Sequence, residues 1–134
     1  MNECIIGIGS NINAEENIRK ALDKLIRDFQ DVSFSEMVKT KPIGIPDQAD
    51  FLNGAVKLKT SLTLNELQQY LKKLEDMLGR DRSAPKFGPR TIDLDIVIWN
   101  NEVVDNDYYE RKFLEEACSQ LGFQPEKSQS KREQ

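Results

Sequence analysis

The periodicities along this chain predict an α+β domain of the ferredoxin-like, split βαβ kind, an antiparallel sheet with helices on one face. Three observations carry that prediction. Helical periodicities near residues 14–29 and 64–78 each lie between apolar runs of strand length. Between the two helices there is room for two strands, which gives the order β-α-β-β-α-β with a final helix. The run at 92–98 alternates aliphatic and acidic residues, as a strand does when one face packs and the other stays open.

Residues 3–8 read as a short buried strand ending at the turn-forming Gly9-Ser10-Asn11. Asn13 followed by Glu16 suggests an N-cap with a capping box, and Ile18, Ala21, Leu22, Leu25, Ile26 and Phe29 recur at helical spacing behind it. Residues 32–40 alternate loosely as a strand. Lys41 to Asp50, with two prolines and a glycine, reads as a loop, and a further strand is expected at 51–59. Thr63 and Glu66 form a second candidate capping box for a helix whose stripe is Leu64, Leu67, Leu71, Leu74 and Leu78 and whose stop is Gly79. Arg80 to Pro89 is polar, basic and proline-broken, a long loop expected to move when ligand binds. Strand 91–99 follows, then a helix over 107–121; residues 1–123 make one domain, and 124–134 are polar enough to predict a disordered tail.

At 134 residues the chain can bury a core without disulfides. Its net charge of −4 argues against a general nucleic-acid binder. Between Lys72 and Arg90, however, six cations face three acids, and a basic stretch beside paired aspartates suits a metal-bound polyphosphate. Cys4 and Cys118 have no metal-ligand spacing and read as buried free thiols of a reducing compartment. The N-terminus lacks the cationic and apolar regions of a signal peptide or membrane span, so a cytoplasmic protein, with no membrane partner and monomeric, is the expectation. Histidine is absent. The commonest general base and the histidine-dependent nucleophile systems are therefore excluded, which leaves carboxylates, guanidinium groups and metal to carry any chemistry.

The sharpest local feature is Lys86-Phe-Gly-Pro-Arg-Thr-Ile-Asp-Leu-Asp-Ile, in which Asp93 and Asp95 stand two residues apart. On a strand they point the same way and can converge on one or two hard cations, with Ile92, Leu94, Ile96 and Ile98 facing the helices. Taken alone, such alternation more often describes a solvated sheet face.

Three motifs extend the reading: Ile8-Gly9-Ser10-Asn11; Thr40-Lys41-Pro42-Ile43-Gly44 through Asp47-Gln48 to Phe51-Leu52-Asn53; and Gly88-Pro89-Arg90-Thr91-Ile92-Asp93-Leu94-Asp95-Ile96. In this order and spacing over residues 5–104, the chain resembles the 6-hydroxymethyl-7,8-dihydropterin pyrophosphokinases of folate biosynthesis, which move pyrophosphate from ATP to a pterin alcohol and release AMP. The resemblance implies that Asp93 and Asp95 bind two Mg²⁺ ions bridging the ATP phosphates and that Arg80 and Arg90, with Asp95, are catalytic. It implies ATP contacts at Glu75, Arg80, Arg82, Phe87, Arg90 and the backbone of Ile96. For 6-hydroxymethyl-7,8-dihydropterin it implies Asn53, the backbone around Thr40, Pro42 and Ile43, and stacking between Phe51 and Phe113. The match departs after Val104, where the family's Pro-His segment is absent and the adenosine half of the site is shortened; Arg111 aligns with the arginine of the family's Arg-x-Phe. A pterin- or nucleotide-binding relative with weakened or altered activity is the alternative. An RNA-binding module of the same topology is disfavoured, because acids stand where such modules place aromatics.

Overall fold

A nine-residue strand, β1 (Asn2–Ser10), runs through the middle of the sheet and sets the two faces of the molecule. The computed structural model describes residues 1–45, 47–83 and 88–125. After β1 come α1 (Ala14–Asp28), β2 (Gln30–Phe34), β3 (Val38–Thr40), β4 (Phe51–Thr60), α2 (Leu64–Met77), β5 (Asp93–Trp99), β6 (Glu102–Val103), α3 (Asp107–Glu110) and α4 (Lys112–Gln120). The strands form one sheet in the order β2-β4-β1-β5-β6, with β3 also on β4, and every pairing is antiparallel. This is the expected split βαβ order.

Cys4, Ile6 and Ile8 of β1, Val56 and Leu58 of β4, and Leu94 and Ile96 of β5 turn to one face, where α1 and α2 close the main core with Leu25, Leu67 and Leu71. Burial of these side chains is the chief stabilising term. The opposite face carries a second, smaller core. There α4 lays Leu114, Ala117 and Cys118 on Ile5, Ala55 and Val97, so this face is half covered and only its far end stays open. The two long helices lie on one face as predicted, while the closing helix supplies a wall to the other. Both cysteines are buried and free, and burial pushes each thiol up to about 12.

Several local expectations change. The first strand continues through Gly9 and Ser10 instead of turning there. The 32–40 strand divides at Ser35, whose Oγ accepts a hydrogen bond from the Ala55 N–H at 2.9 Å. Asn13 does not build a capping box: its backbone is left-handed (φ 43°), not the extended conformation of a usual N-cap, and no side-chain cap bond forms. Thr63 and Glu66 do form theirs, with both reciprocal bonds present. Gly79 ends α2 at φ +91°, a conformation costly for any residue with a Cβ. Ile98 does not face α1 and α2. The β1–β5 register slips between Ile5 and Ile6, leaving an extra β5 residue, so Val97 and Ile98 both join the second core. The final helix breaks at Arg111 into α3 and α4, and the short strand β6 was not anticipated. Of the polar tail, residues 126–134 lie outside the described residues.

Candidate active site

The open end of the second face is built by three strands side by side. Gly7 and Gly9 of β1 pair with Asp95 and Asp93 of β5 on one side and with Ala55 and Asn53 of β4 on the other. Because all these residues share one face, the Gly-x-Gly of β1 leaves a floor with no side chains between the carboxylates and the Asn53 amide. A Cβ on Gly9 would collide with Oδ1 of Asn53.

One cavity lies over this floor, and a second meets it at the carboxylate edge. The first, of about 260 Å³, is lined by Thr40, Ile43, Phe51, Asn53 and Phe113, with Arg111 at its edge. Among its described lining residues Lys41 takes the place expected of Pro42. Asn53 Nδ2 donates to Thr40 Oγ1 at 2.5 Å, which fixes the amide plane against the cavity wall. The second cavity, of about 740 Å³, is the more polar, and is lined by Glu75, Arg80, Arg82, Lys72 and Ile96. Arg90, Asp93, Asp95 and Asp105 line both. The paired carboxylates thus stand at the seam between an aromatic-walled pocket and a basic one.

Charge is held in place by Glu75, which is only 5% exposed. Its carboxylate accepts from Arg80 Nη1 at 2.6 Å, Arg82 Nη2 at 3.0 Å and the backbone N–H of Leu94 at 2.8 Å. Such charge-assisted bonds to a buried group fix both arginines and the start of β5 against α2. Arg80 Nη1 also reaches Asp93 Oδ1 at 3.1 Å, while Arg82 is drawn back onto α2 by Asp76 at 2.9 Å and the Lys72 carbonyl at 3.2 Å. The Nε of Arg80 is buried with no hydrogen-bond partner among the described residues. Asp95 reaches solvent along the cleft, yet the walls strip away much of its water. That desolvation, followed by the charges of Asp93, Glu75 and Asp105, pushes its carboxyl up to about 7 against the opposing pull of Arg80. A site that raises a carboxylate in this way is short of positive charge, and a cation would relieve it.

Asp93 and Asp95 present hard oxygen donors with an open side toward the basic cavity. Among the described residues no group of three or more histidine, cysteine or acidic side chains is arranged to hold a metal by itself. Two carboxylates completed by phosphate oxygens and water are the donor set that suits magnesium, and the residues present fit it.

The structure therefore brings together Thr40, Ile43, Phe51, Asn53 and Phe113 around one cavity, and Glu75, Arg80, Arg82 and Ile96 around the other, with Arg90, Asp93 and Asp95 shared. Phe87 lies outside the described residues. Asp105 was missed by sequence reasoning, and its only signal was an acid just beyond the last strand. So was Gly7, which lacks a side chain where the floor must be flat, whereas Lys72 reads from the sequence only as one cation of the basic stretch.

A family model described as 7,8-dihydro-6-hydroxymethylpterin-pyrophosphokinase matches residues 5–122. The chain belongs to this family. It is 37% identical to the Bacillus subtilis protein named 2-amino-4-hydroxy-6-hydroxymethyldihydropteridine pyrophosphokinase, over 90% of this chain and 80% of that one. Proteins of the same name from Haemophilus influenzae and Aquifex aeolicus are 35% and 38% identical, over 76% and 74% of this chain. The matches span 65% and 62% of those two relatives, a little under two thirds. In this pyrophosphokinase-family chain the segment after β6 contributes Val104, Asp105 and Asn106 to the lining of the second cavity.

Proposed function

We infer that this protein transfers pyrophosphate from ATP to 6-hydroxymethyl-7,8-dihydropterin, releasing AMP; the naming of its relatives as 2-amino-4-hydroxy-6-hydroxymethyldihydropteridine pyrophosphokinases supports the pterin and the pyrophosphoryl transfer. The observation that carries the reading is the seam: Arg90, Asp93 and Asp95 are shared by a cavity with two aromatic walls and a cavity lined by Arg80, Arg82 and Lys72. A flat heterocycle belongs in the first and a polyphosphate in the second, so the transferred group has to cross at the shared residues.

Phe51 and Phe113 would sandwich the pterin ring, and Asn53, locked by Thr40, would donate to and accept from its edge. Asp93 and Asp95 would hold two magnesium ions. When bound, these would supply positive charge to offset that of the phosphates and of the transferring group. Arg90 would hold the phosphoryl chain at the seam, and Arg80, anchored by Glu75, would neutralise its negative charge. The adenosine end would lie in the rest of the second cavity, among Lys72, Ile96 and Val104 to Asn106. No side-chain base is needed: in phosphoryl transfer the protein mainly positions groups and stabilises charge, consistent with a chain that has no histidine.

No helix among the described residues is long and apolar enough to cross a membrane. We place the enzyme in the cytoplasm as a monomer acting on two small molecules. Incubating it with ATP, magnesium and 6-hydroxymethyl-7,8-dihydropterin should yield AMP only when all three are present, and chelation should stop it. Folded protein that binds the pterin and yields no AMP would overturn the reading in favour of a binding relative.

A further inference from the structure

Asn11 and Gln48 belong to the sequence motifs, yet neither is among the described residues lining the two cavities. Asn11 is 8% exposed and every polar atom of its side chain is used. Its Oδ1 accepts from the backbone N–H of Arg90 at 2.7 Å, while its Nδ2 donates to Gln48 Oε1 at 2.9 Å and to the Ala49 carbonyl at 3.0 Å. The backbone adds a bond from the Asn11 N–H to the Arg90 carbonyl at 3.0 Å. Gln48 carries the chain onward, its Nε2 donating to the Ile45 carbonyl at 3.0 Å, two residues from Ile43 on the aromatic cavity. Only one orientation of the Asn11 amide satisfies all its partners, since the carbonyl oxygens demand a donor and the Arg90 N–H demands an acceptor.

We propose that Asn11 is a positioning residue that couples the two halves of the site, tying the backbone of Arg90 on the phosphate side to the Gln48 loop on the pterin side. The inference rests on the pterin and ATP reading above. It explains why a residue at the end of β1 belongs to the same pattern as two distant segments: its side chain bonds to both. A phosphate seated on Arg90 fixes the Arg90 backbone, which fixes the Asn11 amide and through Gln48 the loop beside the aromatic cavity. Each substrate then lowers the ordering cost of the other, and the coupling is reciprocal.

The test measures the Kd of 6-hydroxymethyl-7,8-dihydropterin for the full chain, alone and with a saturating magnesium complex of α,β-methylene ATP. The wild-type protein should bind the pterin at least about tenfold more tightly with the nucleotide present, within the usual range of coupling between sites. Asn11→Asp keeps the acceptor for Arg90 but sets a second acceptor against Gln48 Oε1 and the Ala49 carbonyl, and should reduce that ratio to below about threefold. Gln48→Ala, at a half-exposed loop position, guards against misfolding at the buried asparagine; it should reduce the ratio likewise while its Kd for the nucleotide alone stays within about threefold of wild type. A merely structural role would shift individual affinities and leave the ratio alone. Retention of the ratio in both variants, or a wild-type ratio near one, would overturn the inference. Wild-type protein that binds no pterin in either condition would remove the reading of the site and this inference with it.

Discussion

Asp95→Asn should make the substrate-free protein more stable and the enzyme nearly inactive. The carboxyl is raised from an ordinary 3.8 to about 7 by lost water and by the neighbouring acids Asp93, Glu75 and Asp105. Its folded pKa lies above its unfolded one, so between these values the folded protein binds more protons than the unfolded chain. The favourable contribution is complete below about pH 4 and is lost as pH rises through about 7. Solvent reaches the carboxylate along the cleft, and after that screening a gain of about 1 kcal/mol for the neutral amide above pH 7 is the expected size. Urea unfolding followed by the emission of Trp99, the single tryptophan, measures it at pH 5 and pH 8. The variant should exceed wild type at pH 8 and lose most of that margin at pH 5, while its turnover falls at least about a hundredfold. A variant less stable than wild type at pH 8, or a margin unaffected by pH, would refute the electrostatic reasoning.

Glu75→Leu should cost about 3 kcal/mol by the same unfolding assay, because it leaves Arg80, buried beside it, with Asp93 alone; a loss under about 1 kcal/mol would show that Glu75 is not the anchor. Gly9→Ala should raise the KM for the pterin by about tenfold with little change for ATP, since the added Cβ displaces the Asn53 amide on the aromatic side. Thr63→Ala removes the working capping box of α2 and should lower stability by about 1 kcal/mol without altering the substrate KM values.

Much of this architecture was legible because it rests on patterns of single elements. The leucine stripe and the Thr63 and Glu66 pair define α2 locally, and the alternation of Asp93 and Asp95 with Leu94 and Ile96 puts the acids on the face away from α1 and α2. What stayed hidden depends on partners distant in sequence. Asn13 and Glu16 had the residues of a capping box, but the left-handed turn out of β1 takes Asn13 out of the extended conformation of a usual N-cap. Ile98 continued the aliphatic pattern, and only the register against Ile5 and Ile6 moves it to the other face. The site shows the same division. Its motif residues were readable, while the glycine floor, the Glu75 anchor and the Asn11 connection exist only once β1, α2 and the loops on either side are assembled.

The central claim is that the seam at Arg90, Asp93 and Asp95 passes two phosphoryl groups together from one cavity to the other. Phosphorus NMR of the protein with ATP, magnesium and 6-hydroxymethyl-7,8-dihydropterin tests it most directly. AMP and a pterin diphosphate should appear in equal amounts, with no ADP. Accumulation of ADP with a pterin monophosphate, or ATP left unchanged by folded protein, would contradict it.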